Sequence, residues 1–330
     1  MLQLLNDPRD LPQARLVLQC TVIVLAAAGL FAAGSFSWWF AAGYWALWGS
    51  LFGDRVTTML HTFIHRPLFK RKYGWLNEYV TWVIAPLFGQ TPTSFYVHHI
   101  GMHHPEQNLS RDLSSTMHFQ RDSFPEFLRY YLRFVLLGTP ELIAYHWKKR
   151  RTKLLARFVG GKLFWWALVG ALAAWSWQPT LVVLVIPYLL TDFMLMAGNF
   201  AQHSLIDPDA PADPFKSSIT CLSDRYNGRC FNDGYHTFHH VRPTAHYSEL
   251  RQDFEQNREK YGQADAIVFE QLDFISLWFL LMTHRYRTIA RNFVRLPGAP
   301  ARTDDEVVAL LRRRVARIEA VEPQPTPVST

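Results

Sequence analysis

Cysteine is scarce in this chain, with three residues among 330. Cys20, Cys221 and Cys230 form no Cys-x-x-Cys pair, and their spacing provides neither a disulfide framework nor an iron–sulfur ligand set. The haem-binding stretch His-Pro-Gly-Gly is absent from the sequence as well. These absences exclude a disulfide-stapled secreted domain and a redox protein that carries its own haem or iron–sulfur cluster.

Charge is missing from two long stretches. No Lys, Arg, Asp or Glu occurs from Leu16 to Gly53, and none lies between Lys162 and Asp192. A membrane-spanning helix needs about 20 apolar residues, so each stretch and its flanks has room for two spans. The sequence therefore predicts four spanning helices, at residues 16–34, 38–58, 156–176 and 179–199.

Positive charge is plentiful, and its clusters flank the apolar runs. The formal net charge is +7, and its basic clusters lie at Arg66–Lys72 and Lys148–Lys153. Cytoplasmic loops of membrane proteins carry such an excess of Lys and Arg, so we interpret the clusters as membrane flanks and expect no nucleic-acid partner. With four spans, both termini lie in the cytoplasm. The Ala- and Arg-rich composition favours a bacterial inner membrane.

Carboxylate-based metal motifs are also absent. The sequence contains no Glu-x-x-His and no His-Glu-x-x-His, which argues against the carboxylate-bridged di-iron site of soluble helix bundles and against a zinc protease. Histidine is abundant instead. Four of the 14 histidines fall between His98 and His104, and neutral imidazole is the commonest metal ligand in proteins.

The other histidines repeat this clustering in short boxes. Residues four apart on a helix lie on one face, so a His-x-x-x-His pair can direct two rings at one ion. A single box is often a chance spacing or a helix cap, but four of them fall on the same, cytoplasmic, side of the predicted spans. Nine imidazoles exceed the capacity of one ion, which indicates two metals. The boxes are His61 and His65; His99, His103 and His104; Asn199 and His203; and His236, His239 and His240.

In this order and spacing, the boxes resemble those of the membrane fatty acid desaturase family. The resemblance extends from His61 to Glu249 and includes the stretches His239-His240-Val241-Arg242-Pro243 and Tyr247-Ser248-Glu249. Alkane hydroxylases and the sterol or fatty acyl hydroxylases share these boxes, so the resemblance defines the metal chemistry better than the product.

The resemblance implies a particular set of ligands and cofactors. The family pattern makes the nine box histidines ligands of two iron ions and places Asn199 beside one metal, directly or through a water. His98 is surplus to the box and either replaces His99 or supports it. The remaining histidines, His118, His146, His246 and His284, match no box. O2 is the implied co-substrate, a fatty acyl chain is the implied substrate, and membrane lipid is a further partner. Because the chain has no haem or iron–sulfur motif, its electrons come from a separate donor, a ferredoxin, a rubredoxin or a cytochrome b5-like protein.

The predicted architecture is an all-α membrane protein. Four transmembrane helices carry a cytoplasmic helical cap that bears the histidine boxes. We assign residues 1–290 to the integral membrane domain and residues 291–330 to a basic helix and a disordered tail. The sequence Thr303-Asp304-Asp305-Glu306 is typical of a capping box at the start of that helix.

Three alternatives to desaturation remain open. The same di-iron site can hydroxylate a fatty acid or alkane, or decarboxylate a fatty acid oxidatively to a terminal alkene, and these reactions need no difference in metal ligands. A metal-ion transporter is the alternative from another class. Its ionisable groups would lie within the spans, which in this sequence are nearly free of them.

Overall fold

A computed structural model describes residues 1–33 and 35–318. Gly34, in the predicted turn, and the predicted disordered tail from Glu322 lie outside the described residues. The protein is mostly helical and divides into two compact units. Unit 1 consists of Met1–Gly101 and Ile143–Phe193, and unit 2 consists of Met102–Leu142 and the described residues from Met194 onward.

Unit 1 combines long apolar helices with several short helical segments. Its α-helices are Leu11–Ala32, Trp38–Leu47, Gly53–His65, Gly74–Tyr79, Ala85–Leu87, Ser94–His98, Thr152–Trp175 and Trp177–Thr180. Wider π-helical segments occur at Trp48–Phe52, Val80–Ile84 and Leu181–Val185, and 3₁₀ turns at Leu2–Leu4, Pro8–Asp10 and Arg71–Tyr73. Three further segments cross the unit boundaries: the π-helical segment His99–His103 and the helices Phe124–Lys148 and Ile186–Gln202.

Three helices are long and apolar enough to cross a membrane, namely Pro8–Ala32, Thr152–Trp175 and Trp177–Gln202. On the first of them, Leu18, Val22 and Leu25 are 61%, 51% and 67% exposed and share one face, as expected of a surface that contacts lipid. The predicted second span at 38–58 is helical, but it is not among the three found in residues 1–33 and 35–318. Its tryptophans and glycines contribute little hydropathy, and Asp54 and Arg55 fall within it.

Unit 2 contains short helices around a two-stranded sheet. Strands Ile219–Cys221 and Ile267–Phe269 pair in parallel, with Ile219 opposite Ile267, and both strands are fully buried. The sequence predicts helices alone, and the two strands are a correction to the all-α prediction. Strands of three residues are too short to show the alternation of apolar and polar residues that marks a strand. The other elements are helices His104–Glu106, Pro214–Ser217, Asp224–Arg229, His236–Val241, Leu250–Gln256, Arg258–Gln263, Phe274–Met282, Tyr286–Arg291 and Asp304–Arg314, and a 3₁₀ turn at Tyr247–Glu249.

The C-terminal helices pack into the main core of unit 2. Leu277, Ile289 and Leu311 join a buried cluster that also contains Ala201 and Ile219. The predicted capping box is confirmed: the Glu306 backbone N–H donates to Thr303 Oγ1, and the Thr303 backbone N–H donates to the Glu306 carboxylate. This helix is therefore a well-terminated part of the folded unit.

Arg121 connects the end of the chain to the centre of unit 2. Its side chain is fully buried, and its guanidinium donates to the backbone carbonyls of Ser204, Arg314 and Ala316 at 2.9, 2.9 and 2.6 Å. Burial lowers the pKa of Arg121 to about 9, so the group remains protonated at neutral pH. The carbonyl dipoles compensate for the loss of water around this charge.

Candidate metal centre

Three box histidines of unit 1 come together in the structure. His61 and His65 lie one turn apart on the helix Gly53–His65, as the His-x-x-x-His spacing predicts. Their rings and that of His99 place ligand atoms within 4.8 Å of one another, and the Nε2 atoms of His61 and His99 are 2.9 Å apart. The ring of Phe95 packs against His61 and His99. The arrangement brings imidazole nitrogens together beside an aromatic ring.

Unit 2 holds the other six box histidines. His103, His203 and His240 are buried and place ligand atoms within 4.8 Å of one another. The helix His236–Val241 carries His236, His239 and His240 on one turn, as the His-x-x-His-His spacing predicts. The Nε2 atom of His236 lies 3.0 Å from that of His240 and 3.3 Å from that of His203, and the Nε2 atoms of His104 and His239 are 3.0 Å apart.

These distances suit metal ligands better than hydrogen bonds between rings. Each imidazole nitrogen is either one donor or one acceptor, so Nε2 of His236 cannot hydrogen-bond well to His203 and His240 at once. Two nitrogens about 2.1 Å from a shared ion at about a right angle are about 3 Å apart, given ordinary imidazole–metal distances. The convergence of three Nε2 atoms therefore fits a cation.

Two of the buried rings are held through their Nδ1 atoms. His103 Nδ1 donates to Asp112 Oδ2 at 2.6 Å, and His203 Nδ1 donates to the carbonyl of Ser217 at 2.8 Å. A hydrogen bond from Nδ1–H leaves Nε2 with the lone pair that a metal needs. In both rings it is consequently Nε2 that can act as the ligand.

The buried histidines are held in the neutral state, which favours metal binding. Burial, and secondarily the neighbouring His103, lowers the pKa of His203 to about 3. Burial lowers the pKa of His240 far below its usual value, and His236 adds to the effect. Because a ligating imidazole must be neutral, these rings are ready to bind a cation at neutral pH.

Asn199 lies one helical turn before His203, and its side-chain nitrogen is hydrogen-bonded. Nδ2 donates to the Tyr130 hydroxyl at 2.7 Å and to the Ser114 carbonyl at 3.1 Å. Tyr130 is buried, and this burial raises its pKa. The oxygen Oδ1 is therefore the atom of this amide that can serve a metal or a metal-bound water.

The structure also separates His99 from His98. It places His99 with His61 and His65, while His98 ends the helix Ser94–His98 and joins neither histidine group. Among the histidines outside the boxes, His146 and His246 are buried, whereas His118 and His284 are exposed. Asp112, Ser114 and Tyr130 were not predicted, because their contacts with ligands depend on tertiary structure.

The helix that carries the central box widens into a π-helix at His99–His103. Such segments change the backbone hydrogen-bond ladder and are frequent at functional sites. Nearby, His146 Nε2 lies 3.2 Å from the carbonyl of Val97, and the Arg151 guanidinium donates to the carbonyl of Gly101. A Cβ at Gly101 would lie 3.0 Å from the His146 ring, so this glycine permits the close approach of His146.

The residues present fit iron. Neutral imidazoles suit iron, copper, nickel and zinc, and an asparagine oxygen adds a hard ligand that iron accepts. Comparison with protein families supports the same chemistry: the model described as fatty acid desaturase matches residues 36–271, more than half of the chain. A search of curated proteins found no match.

Proposed function

The chain belongs to the fatty acid desaturase family, and on this premise we propose that it introduces a double bond into a fatty acyl chain in an O2-dependent reaction. The family match and the apolar helices already establish the general class of activity and the membrane location. The family, whose members are in general di-iron dependent, implies oxidoreductase activity, and the three apolar helices with the family match identify a membrane protein.

The observation that carries the proposal is the convergence of His203, His236 and His240 at Nε2 distances of 3.0 and 3.3 Å. A transporter would distribute such groups along a pathway through its spans. Here the imidazole rings cluster at the ends of helices, and the distances between their Nε2 atoms suit ligands of one ion. The histidine groups are thus compatible with the iron chemistry of the family.

We propose that the nine box histidines hold two irons and that Asn199 supports one of them. When bound and reduced by an outside donor, iron supplies the chemistry that activates O2 and removes hydrogen from unactivated methylene groups. Burial keeps the rings of His203 and His240 neutral and limits the access of water to them. Hydrogen bonds through Nδ1 fix the orientation of His103 and His203. The acyl chain must lie so that one pair of methylenes faces the irons.

We further propose four transmembrane helices and both termini in the cytoplasm. The helix from Trp38 is the second span in chain order and adds to the three apolar helices already described. The basic runs Arg66–Lys72 and Lys148–Lys153 support this orientation, and a bacterial inner membrane is the proposed location. A reporter that fluoresces only in the cytoplasm, fused after residue 330, tests the orientation; a dark fusion that still inserts in the membrane contradicts it.

The separate electron donor is proposed to be a ferredoxin, a rubredoxin or a cytochrome b5-like protein. Its delivery of electrons can be tested by adding each purified donor, with its reductase, to membranes that contain the protein. The donor that supports product formation identifies the class.

The experiment that tests the function is a lipid and headspace profile by gas chromatography–mass spectrometry. Cells that express the protein with a donor are compared with cells that express His239→Ala or His240→Ala, and His118→Ala serves as an exposed histidine control. We expect new unsaturated acyl chains in the wild type and the control, and none in the two box variants.

Other products would correct the proposal in defined ways. Hydroxylated chains would assign hydroxylation, and volatile terminal alkenes would assign oxidative decarboxylation, each with the same iron site. Accumulation of zinc or cobalt in the cells, without any oxidised product, would replace the enzyme by a transporter.

A further inference from the structure

We propose that Asp112 and Tyr130, joined through Ser114, are positioning residues that determine which atoms of His103 and Asn199 face the metal. The inference rests on the proposed iron site and extends it to residues outside the histidine boxes. All five residues belong to unit 2. Asp112 and Ser114 lie in the loop after the second box, and Tyr130 lies on the helix Phe124–Lys148.

Asp112 is buried and uses both carboxylate oxygens. Oδ2 accepts hydrogen bonds from His103 Nδ1 at 2.6 Å and from the Asn108 backbone N–H at 2.9 Å. Oδ1 accepts from the backbone N–H and the hydroxyl of Ser114 at 2.8 and 2.7 Å. A carboxylate with four donors cannot rotate without breaking several bonds. It therefore fixes both the plane of the His103 ring and the nitrogen that carries its proton.

Tyr130 gives the Asn199 amide a single orientation. The Asn199 nitrogen has two hydrogens, one directed at the Tyr130 hydroxyl and the other at the Ser114 carbonyl, and the Tyr130 hydroxyl itself donates to that carbonyl at 3.2 Å. A flipped amide would point its oxygen at the Ser114 carbonyl, where two acceptors repel each other. The network therefore directs Oδ1 away from Ser114.

Ser114 connects the two halves of this network. Its backbone N–H and hydroxyl bind Asp112, while its carbonyl accepts from Tyr130 and Asn199. Two residues further along the same loop, the Thr116 hydroxyl donates to the His203 carbonyl at 2.6 Å. A displacement of the loop would thus disturb His103 and Asn199 together.

Two substitutions separate the two effects. Asp112→Asn preserves size but removes the charge that accepts the His103 proton, and loss of such a partner commonly weakens metal affinity by about 10–100-fold. Tyr130→Phe removes only the hydroxyl, so the Asn199 amide loses one of its two acceptors and is held by the Ser114 carbonyl alone. We expect Tyr130→Phe to retain iron with an altered ligand environment. The matched controls are Asp305→Asn, an exposed carboxylate, and Tyr44→Phe, a buried tyrosine of unit 1.

The experiment uses the full chain in lipid nanodiscs. Iron affinity is measured by competition with a chelator, and the iron environment by Mössbauer spectroscopy of protein loaded with ⁵⁷Fe. We expect Asp112→Asn to lose 10–100-fold in affinity and Tyr130→Phe to change the spectrum at nearly unchanged iron content. Both controls should match the wild type. Thermal unfolding of the metal-free proteins shows whether each variant remains folded.

A measurement on metal-free protein tests the positioning role of Asp112 independently of the proposed iron chemistry. Solid-state NMR of metal-free protein with ¹⁵N-labelled histidine reports the proton position on each ring. We expect a His103 Nδ1–H signal bonded to a carboxylate, lost in Asp112→Asn and regained in Asp112→Glu. An unchanged signal in Asp112→Asn contradicts the positioning role even if the protein binds iron. A wild type that retains the signal but binds no iron contradicts the proposed function alone.

Discussion

The two groups of histidines are the same in chemistry but differ in how the protein holds them. In unit 1, His61 and His65 are half-buried and His99 is buried, with Phe95 packed against two of the rings. In unit 2, His103, His203 and His240 are all buried, and two of them bind a carboxylate or a carbonyl through Nδ1. Packing defines where a ring lies, whereas a hydrogen bond also defines its protonation. The comparison indicates that the ligand rings of unit 2 are held more firmly than those of unit 1, both in position and in the nitrogen that carries the proton.

The largest expected effect comes from removing a ligand in either group. His65→Ala and His240→Ala should each reduce product formation more than about 100-fold, because loss of a ligand exceeds the usual effect of losing its supporting partner. Product is measured by gas chromatography–mass spectrometry under matched expression. Retention of wild-type activity in one variant would remove that histidine from the proposed ligands.

Iron release distinguishes the two groups further. In membranes titrated with a chelator, iron should be removed faster from His240→Ala than from His65→Ala. His240→Ala retains the unit 1 group, in which His61 and His65 are half-buried, whereas His65→Ala retains the fully buried His103, His203 and His240. The time course of chelation measures this difference. Equal rates would show that burial of the individual rings does not control access to the metal.

A smaller effect is expected at the π-helical segment of the central box. Gly101→Ala brings a Cβ to 3.0 Å from the His146 ring, and such overpacking costs about 1–3 kcal/mol. Gly170→Ala is the matched control, since nothing lies within 4 Å of the added Cβ there. Thermal unfolding of the metal-free proteins should show a lower midpoint for Gly101→Ala only; equal midpoints would contradict the close contact.

The smallest effect is the contribution of His146 to the pH dependence of stability. Burial lowers the pKa of His146 below its usual 6.5, so the unfolded chain takes up a proton that the folded chain does not. Unfolding is therefore favoured as the pH falls below 6.5, and the loss continues down to the lowered pKa. The unfolding midpoint of metal-free wild type should decrease more steeply with acid than that of His146→Gln. Parallel curves would exclude this contribution.

Sequence periodicity predicted the features that depend on neighbours along the chain. The pairs His61/His65 and His236/His240 lie on single helices, so their spacing alone brings their rings to one face. The apolar runs and the capping box at Thr303 are equally local. The histidine boxes also predicted membership of the fatty acid desaturase family, and the family match over residues 36–271 confirms this prediction.

Contacts between distant parts of the chain were not predictable in this way. Asn199 and Tyr130 are 69 residues apart, and His203 and His236 are 33 apart. No spacing rule assigns Asp112 to His103, since the loop between them adopts its shape only through hydrogen bonds of Asn108, Ser114 and Ser115. The choice between His98 and His99 likewise depends on the backbone of a widened helix.

The burial of Arg121 bears on how this protein can be shortened or joined to others. The family match ends at residue 271, but the Arg121 guanidinium is completed by carbonyls at Arg314 and Ala316. A protein cut at the family boundary would keep the arginine and lose these acceptors, together with the helices that close the core of unit 2. The boundary of sequence resemblance is thus not a boundary of folding. A fusion partner or purification tag belongs beyond residue 318, where it leaves this buried charge enclosed.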